Sequence, residues 1–314
     1  MKYINLKTME QEASIPSSSI LCLGNFDGVH IGHRQLVASV LDTYSIVKMN
    51  NASLISGAWF FDSSSYKSAD EIYTLEEKLN IFSKLGLDYA IVADFEEMKS
   101  LSPEEFVNEV LIKDCRCIHA VCGENFRFGT RASGDSNTLI RFMNGNATVV
   151  PLLSTADGLN DNKDIVVSST YIRSLLSAGN IKKANELLGE NYSIFERVLH
   201  GKALGRTIGI PTINQTPGRK NVILKNGIYA TKCTVDNVTY MDVTNVGIRP
   251  TVDENGAKNI ETYIIDFDGD CYDKYVKTEF ISRIRDEKKF ESIEALKSQI
   301  QNDIKSTIEL LNKQ

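Results

Sequence analysis

The sequence lacks several features that would mark a membrane or nucleic-acid-binding protein. No hydrophobic run among the 314 residues approaches the length of a membrane span, and residues 1–19 have no apolar core of the kind that a signal peptide needs. Basic residues are not in excess, because 35 Lys and Arg stand against 41 Asp and Glu, for a net charge of -6. We therefore expect no membrane and no nucleic acid as partner, although an acidic chain can still carry a local site for small anions.

Paired cysteines are also lacking. The six cysteines show no CxxC spacing and lie mostly in apolar runs, so we expect reduced, buried thiols and a cytoplasmic location. Cys115 and Cys117 form a single CxC beside His119, which is only a weak pattern for zinc. No feature of the sequence indicates an oligomeric state, which stays open.

The order of strand and helix patterns predicts two domains of different class. In the first half, apolar strand patterns such as 20–26, 52–61 and 117–123 alternate with amphipathic helix patterns. This alternation predicts a parallel sheet with helices on its faces. The chain is long enough for a second core, and we place the boundary near Gly189, which gives domains of 1–189 and 190–314.

Helix starts in the first half can be located from capping patterns. Thr74 with Glu77, and Ser102 with Glu105, each form a capping box, and Pro103 suits the first position of a helix. The segment SSTYIRSLLSAGNIKKANELLG then predicts two short helices broken at Gly179 and Asn180.

The second half is dominated by strand patterns with short turns, which predict an antiparallel barrel or sandwich. A final helix carries one apolar stripe, which we expect to dock on the barrel; it consists of Ile293, Leu296, Ile300, Ile304, Ile308 and Leu311. In DFDGDCYD, Asp266, Asp268 and Asp270 could suggest calcium, but the glycine comes too early for an EF-hand loop. A hairpin turn at Asp268-Gly269 is the better interpretation.

The motif GNFDGVHIGH uses two of the four histidines of the chain, His30 and His33, between a predicted strand and a helix. The carboxyl end of a parallel strand and a helix N-terminus together favour phosphate binding. Histidines three residues apart can point the same way and stabilise the charge of a transition state. A metal-binding pair and two purely structural histidines remain the alternatives.

The motif also resembles a known family. GNFDGVHIGH is similar to the HxGH signature of nucleotidylyltransferases, and in particular to prokaryotic bifunctional riboflavin kinase/FMN adenylyltransferases, also called FAD synthetases. The segments YTLEEKLNIFSKLGLDYAIVADF, LSPEEFVNEVL, GENFRFG and VSSTYIRSLL resemble that family in the same order. The resemblance implies a Rossmann-like domain that adenylylates FMN to FAD, with ATP as co-substrate and release of pyrophosphate.

The resemblance also implies site residues in this half. Around the ATP phosphates it places four residues of the first motif: Gly24, Phe26, His30 and His33. It adds Asn125 at the ATP and FMN sites, and a second nucleotide motif of Ser168, Ser169, Thr170 and Arg173. Locally, Ser169 suits a helix N-cap, and the Arg173 guanidinium, one turn into the helix, can lean back toward a phosphate. Without the resemblance, Arg173 would be interpreted as a solvated surface charge.

The stretch GKALGRTIGIPTINQ has no GK[ST] and so is not a Walker P-loop, but its glycine-rich loop can wrap phosphates. Thr212 and Asn214 would face the same way on an extended chain and offer hard oxygen ligands. Glu261 is a carboxylate on an otherwise apolar strand face, which suits either a general base or an ion-paired structural residue.

This second half resembles the riboflavin kinase motif GRxxGxPTxN, and the following segments keep that order to the last helix. The resemblance implies a six-stranded antiparallel barrel that phosphorylates riboflavin to FMN. It implies phosphate contacts at Gly205 and Arg206, Mg²⁺ with ATP at Thr212 and Asn214, and Glu261 as the base. Arg249 and Arg285 could help to bind nucleotide or flavin, but ion pairs on the barrel surface are the simpler interpretation.

One segment departs from the family. WFFDSSSYK stands where a Pro-His-Pro stretch is usual, while Asp62 is retained, and Tyr263 replaces a usual histidine beside Glu261. The alternatives are therefore a riboflavin kinase with weak or lost FAD synthesis, a flavin-binding protein without turnover, and a nucleotidylyltransferase for another substrate. The predicted partners are riboflavin, FMN, FAD and ATP.

Overall fold

The computed structural model describes most of the chain: residues 1–5, 15, 18–49, 53–62, 70–157, 164–200, 205, 209–218, 224–248 and 258–313. By the density of its internal packing, the chain divides into two compact units. The first ends at Ser169 and the second begins at Thr170. The predicted boundary at residue 189 stays a prediction.

The first unit contains a six-stranded sheet in which every neighbouring pair is parallel, as predicted. Its spatial order is β1-β4-β3-β2-β5-β8. Its strands are β1 (Lys2–Asn5), β2 (Ser18–Leu23), β3 (Leu54–Phe61), β4 (Tyr89–Ala93), β5 (Cys117–Gly123) and β8 (Ala147–Val150). Four short strands form two small ribbons beside it: β6 (Arg127–Phe128), β7 (Gly134–Asp135), β9 (Ser154–Ala156) and β10 (Asp164–Val166).

Strand β1 was missed by the sequence analysis. It is four residues long and buries only Ile4, so it carries almost no periodic signal. Its position is set by pairing with β4, which is distant in sequence.

The helices of the first unit begin where the capping patterns place them. Thr74 and Ser102 form complete capping boxes with Glu77 and Glu105. The helices are α1 (Ile31–Lys48), α2 (Leu75–Leu85), α3 (Phe95–Met98), α4 (Pro103–Glu105), which continues as a π-helical segment (Phe106–Asp114), and α5 (Ser136–Phe142). The single tryptophan, Trp59, is buried against Phe61 and Phe106, in agreement with a packing role.

The second unit is built on six antiparallel strands in the order β11-β16-β13-β14-β15-β12. The strands are β11 (Ser193–Arg197), β12 (Ile213–Gln215), β13 (Gly227–Val235), β14 (Val238–Ile248), β15 (Lys258–Ile264) and β16 (Tyr275–Arg285). Leu199, just after β11, pairs with Asn214 of β12, and the buried Gln215 amide donates to Glu196 and Val276 carbonyls. These bonds join the two outer strands, so the sheet is a nearly closed barrel, as predicted.

Several strands of the barrel carry buried polar side chains. The buried hydroxyls of Thr231, Thr244 and Thr262 form a chain of hydrogen bonds across three strands. Asp242 is completely buried, accepts a bond from the Cys233 thiol at 3.3 Å, and leaves Oδ2 without a hydrogen-bond partner. Burial raises the pKa of Asp242 from 3.8 to about 8.

Three helices accompany the barrel: α6 (Ser169–Ala178), α7 (Ile181–Leu188) and α8 (Ile293–Leu311). The break at Gly179-Asn180 and the end at Gly189 are as predicted. The Asn185 amide donates to the Phe280 carbonyl of β16 at 2.8 Å and accepts from the Tyr192 N–H, which attaches α7 to the barrel.

Two predictions for this unit were wrong in detail. The residues of α8 that are most deeply buried are Asp303, Thr307 and Leu311, whereas Ile293 is 57% exposed. The apolar spacing does not show this pattern of burial, because the residues in the first half of the stripe line a pocket and are not covered by the barrel. The hairpin at Asp268-Gly269 is also absent, since β15 and β16 lie at different positions in the sheet and the segment between them is a longer loop.

Candidate active sites

The first motif follows β2, which lies at the topological switch point of the sheet. The neighbours of β2 are β3 on one side and β5 on the other, so the strand order reverses there. Open α/β sheets bind ligands at such a point. Leu23 pairs with both Trp59 and Cys122, so Gly24 and Asn125 follow strand ends at the same edge. Asn125 is exposed there.

The backbone of this turn is unusual and leaves little space. Phe26 adopts a left-handed conformation with φ of 52° although its ring is fully buried. A Cβ at Gly24 would lie 3.2 Å from that ring, and a Cβ at Gly32 would lie 3.3 Å from the His30 ring. Close approach between backbone and ring therefore requires glycine at both positions.

The two histidines form a single stacked pair. Their ring centroids are 3.6 Å apart with an interplanar angle of 17°. The Phe26 ring meets His33 edge-on at 5.1 Å and is held from behind by Phe82 at 5.2 Å. Phe26 therefore supports the pair from the core, and its side chain is shielded from any ligand in the turn.

His30 also caps α1. Its Nδ1 accepts the N–H of His33 at 3.4 Å, so in a neutral ring the proton is on Nε2. Burial lowers the pKa of His30 from 6.5 to about 4. At neutral pH this side chain offers a hydrogen-bond donor and no charge.

Asp27 connects the turn with two distant segments. Its carboxylate accepts the Ile72 N–H at 2.9 Å, and its carbonyl accepts the Ser169 hydroxyl at 2.8 Å. The expectation that Ser169 caps the helix is wrong, because α6 begins at Ser169 itself and its hydroxyl is used for the bond to Asp27. The second motif is thereby joined to the first.

The rest of the second motif follows directly along α6. Arg173 is half-buried, and its guanidinium donates to the Thr170 hydroxyl at 3.1 Å, leaning toward the start of the helix as predicted. Ser168 immediately precedes that start. Of the departing segment WFFDSSSYK, the structure describes Trp59 to Asp62, and residues 63–67 lie outside the described residues.

The second candidate site is a row of polar side chains across three barrel strands. Glu261 on β15 pairs with Asn214 on β12 and with Asn245 on β14. Asn259 lies two residues before Glu261, on the same face of β15. Its amide nitrogen donates to Glu261 Oε1 at 2.7 Å and to Asn214 Oδ1 at 3.4 Å. Among the described residues, Glu261 is bonded by the Asn259 amide and by no cationic side chain, which disfavours the structural alternative.

Glu261 stands at the wall of a pocket of about 490 Å³. Its apolar side chains come from three strands, α8 and the segment before α8: Ile228, Val243, Tyr263, Phe290, Ile293, Leu296 and Ile300. Gly205 and Thr212 also line it, together with polar side chains such as Asn245, Arg285 and Asp303. A pocket that combines apolar walls with several polar groups is typical of a small-molecule site.

A second pocket, of about 330 Å³, lies on the other side of Thr212. It is lined by Gly209, Pro211 and the loop 267–272, which contains Asp268, Asp270 and Tyr272. Thr212 therefore borders both pockets. Arg206 and Arg249 lie outside the described residues.

The sequence analysis missed three residues of this site: Asn245, Asn259 and Asp303. Asn245 meets Glu261 only through strand pairing, whereas alternation along β15 could have placed Asn259 beside Glu261. Arg285 and Asp303 form a buried bidentate ion pair that also lines the larger pocket, with Nη2 to Oδ2 at 2.6 Å. An ion pair on the barrel surface was predicted for Arg285; the ion pair exists, but its partner Asp303 is buried on α8.

Comparison with known proteins now adds to this geometry. A family model described as FAD synthetase matches residues 12–171, and one described as Riboflavin kinase matches residues 188–311. This chain belongs to the bifunctional riboflavin kinase/FMN adenylyltransferase family.

Relatives with that name cover almost the whole chain. The protein from Bacillus subtilis (strain 168) is 33% identical over 303 residues, which are 93% of this chain and 92% of that one. The protein from Escherichia coli (strain K12) is 30% identical and covers 95% of this chain and 93% of its own. A crystal structure described as a macrolide-efflux protein from Streptococcus pneumoniae has a TM-score of 0.84 at 27% identity, and covers 97% of this chain and 98% of that one.

Membership in this family confirms the predicted resemblance, the fold class and the assignment to transferases with kinase and nucleotidyltransferase domains. Both family models match, so the alternatives that lack one activity or all turnover are not favoured. All six cysteines are free and buried. Within the described ranges, no cluster of His, Cys, Asp or Glu is suited to a metal, and no helix is long and apolar enough to cross a membrane.

Proposed function

We propose that the two units carry out successive steps of flavin cofactor synthesis. The barrel unit transfers the γ-phosphoryl group of ATP to riboflavin and forms FMN. The unit with the parallel sheet transfers the adenylyl group of a second ATP to FMN, forms FAD and releases pyrophosphate. The observation that carries this proposal is Glu261, a carboxylate held by the Asn259 amide at the wall of a pocket with apolar sides.

In the kinase step, Glu261 takes the proton of the terminal ribityl hydroxyl. The oxygen then attacks the γ-phosphorus, and ADP leaves. We assign the larger pocket to the flavin, because its apolar walls suit a planar ring system and Glu261 stands beside it. The smaller pocket, across Thr212, is assigned to the nucleotide.

Magnesium fits the residues at this border. Thr212 supplies a hydroxyl and Asn214 an amide oxygen, which are the hard ligands that Mg²⁺ prefers together with phosphate oxygens. Among the described residues, the buried Oδ1 atoms of the neighbouring Asn245 and Asn259 have no hydrogen-bond partner. Both oxygens can therefore still accept a hydrogen bond. When bound, Mg²⁺ would neutralise charge on the ATP phosphates, and Thr212 and Asn214 would hold it.

In the adenylyl step, the nucleophile is the FMN phosphate, which is already ionised and needs no base. The protein must position the two phosphates and stabilise the charge at the α-phosphorus. We assign that task to the Nε2 donor of His30, to His33 and to the Arg173 guanidinium. Gly24 allows close approach, and Asn125, Ser168, Ser169 and Thr170 shape the nucleotide site.

Separation of the two reactions tests these assignments. Glu261→Ala should abolish formation of FMN from riboflavin and Mg-ATP yet leave conversion of FMN to FAD intact. His30→Ala combined with His33→Ala should do the reverse, with products separated by chromatography. If Glu261→Ala kept full kinase turnover, the assigned base would be wrong.

The departure at WFFDSSSYK makes one control necessary. Incubation of the unmodified chain with FMN, Mg-ATP and pyrophosphatase should yield FAD. No FAD after long incubation would leave a riboflavin kinase alone, and unchanged ATP with bound flavin would indicate a binding protein.

A further inference from the structure

Asn259 stands between the two groups to which the kinase reaction is assigned. It is only 7% exposed, on the strand face that also carries Glu261. Its Nδ2 approaches two oxygens, Glu261 Oε1 at 2.7 Å and Asn214 Oδ1 at 3.4 Å. Both neighbours are acceptors, which fixes the orientation of the amide, because an amide oxygen in that place would meet them with like partial charge.

We infer that Asn259 is a positioning residue of the kinase site, whose single amide group orients the base and the magnesium ligand together. This inference rests on the proposed roles of Glu261 and Asn214. A bond from Asn259 to Oε1 holds one carboxylate oxygen and directs Oε2 elsewhere, toward the substrate hydroxyl. The same nitrogen fixes which way the Asn214 amide turns, so the Asn214 oxygen is presented in one orientation.

A purely structural role explains the arrangement less well. Among the described residues, the buried Oδ1 of Asn259 has no hydrogen-bond partner, and an unpaired buried acceptor costs about 1–3 kcal/mol. An apolar side chain at this strand position would avoid that cost. Groups that orient metal ligands and catalytic bases contribute to function, and their loss typically lowers activity or metal affinity by about 10–100-fold.

The test compares three changes at this position in the full-length chain. Asn259→Asp keeps the shape and replaces the donor by a second carboxylate beside Glu261. We expect kinase kcat to fall about 10–100-fold. The acid limb of the pH–rate profile should move to higher pH, because two adjacent carboxylates resist joint ionisation. Half-saturation by Mg²⁺ should also change. Asn259→Ser, which retains a donor, should restore most of the wild-type profile relative to Asn259→Ala.

Two internal controls accompany these variants. Conversion of FMN to FAD should be unchanged in all of them, since that reaction is assigned to the other unit. Asn237→Asp makes the same chemical change at an exposed position of the β13–β14 turn, and should leave the kinase profile unaltered.

The outcomes separate this inference from the proposed function. If Asn259→Asp lowers kcat but leaves the acid limb and the Mg²⁺ half-saturation unchanged, Asn259 acts only structurally and the inference fails. It fails equally if both Asn259→Asp and Asn259→Ser do not fold. If the Asn259 variants behave as expected but Glu261→Gln keeps full turnover, the assignment of the base fails instead.

Discussion

The candidate sites on the parallel sheet and on the barrel differ in the side chains that they bring together. On the sheet, a tight turn supplies backbone, a stacked histidine pair and the start of a helix, and His30 is neutral. On the barrel, three strands supply a row of asparagines around a carboxylate. The first arrangement offers hydrogen-bond donors, and the second offers a proton acceptor.

This difference corresponds to the two nucleophiles. A phosphate is ionised before it reacts, so the sheet site needs donors for developing charge and no base. A hydroxyl must lose a proton, so the barrel site needs a carboxylate in a defined orientation. The family relationship thus assigns two phosphate-transfer reactions to one chain, and the chemistry of each nucleophile explains why the sites share no residue pattern.

The largest expected effect concerns the buried ion pair of the barrel unit. Asp303→Ala leaves the Arg285 guanidinium buried without its carboxylate partner, which typically costs about 3–5 kcal/mol of stability. We expect a lower unfolding temperature of this unit and a higher KM for riboflavin, because both residues line the larger pocket. Calorimetry and kinase kinetics measure these changes. Asp286→Ala, at an exposed carboxylate, is the matched control, and equal effects of the two variants would contradict the prediction.

The next effect is a loss of barrel stability with rising pH. Burial raises the pKa of Asp242 from 3.8 to about 8, so between these values the folded unit binds about one proton more than the unfolded chain. The contribution of the protonated Asp242 carboxyl to the free energy of unfolding is complete below about pH 4 and is lost as the pH rises through about 8. Asp242→Asn should remove this slope and raise the unfolding temperature at pH 8–9.

Calorimetric unfolding of Asp242→Asn between pH 5 and pH 9 measures this slope. Asp236→Asn, an exposed residue of the same barrel, provides the control. An unchanged slope in Asp242→Asn would show that another group causes the pH dependence.

The sheet unit should respond to pH in the opposite direction. Burial lowers the pKa of His30 from 6.5 to about 4, so in that window the unfolded chain binds more protons. Stability is therefore lost as the pH falls from about 6.5 toward 4, and His30→Gln should flatten this dependence. Fluorescence of Trp59, the single tryptophan, reports on this unit alone. The same change at His200, in the barrel unit, should leave the fluorescence profile as it is.

The smallest effect concerns the bond between the Asp27 carboxylate and the Ile72 N–H in the sheet unit. Asp27→Ala removes the acceptor of the Ile72 N–H, and a buried unsatisfied donor costs about 1–3 kcal/mol. We expect about 1.4 kcal/mol of this cost to appear in the activation free energy of adenylyl transfer. The rate of FAD synthesis should then fall about tenfold, while kinase turnover stays constant. Asp42→Ala, at an exposed position of α1, is the control. Full FAD synthesis in Asp27→Ala would show that the turn keeps its shape without this bond.

The fold was predictable where local rules decide it. The capping boxes at Thr74 and Ser102, and the break at Gly179-Asn180, appear where the sequence predicts them because each depends on residues within one turn of the chain. Strand β1 and the course of the chain after β15 were not predictable, since both depend on pairing with distant strands.

The sites show the same limit. Motif residues such as His30 and Glu261 could be named from the sequence, and the resemblance to the family supplied their roles. Asn245 could not be named, because it meets Glu261 only through strand register. Asn259 lies two residues before Glu261, so alternation along the strand could have placed it on the same face, although not its hydrogen bond to the carboxylate. Asp303 is buried because it forms an ion pair with Arg285, which lies on another element, and the apolar spacing of α8 does not reveal this pair.

The helix α7 has a practical consequence for dividing the chain into two separate enzymes. Its buried side chains, Ile181, Ala184, Leu187 and Leu188, and the Asn185 bond to β16, belong to the same compact unit as the barrel. A fragment that begins at residue 190 would lack these buried apolar side chains and the hydrogen bond to the Phe280 carbonyl. A fragment that begins near Thr170 keeps them, but it also carries Arg173, which is proposed for the adenylyl step. A cut at Gly179-Asn180, between α6 and α7, keeps α7 on the barrel and leaves Arg173 with the first half of the chain.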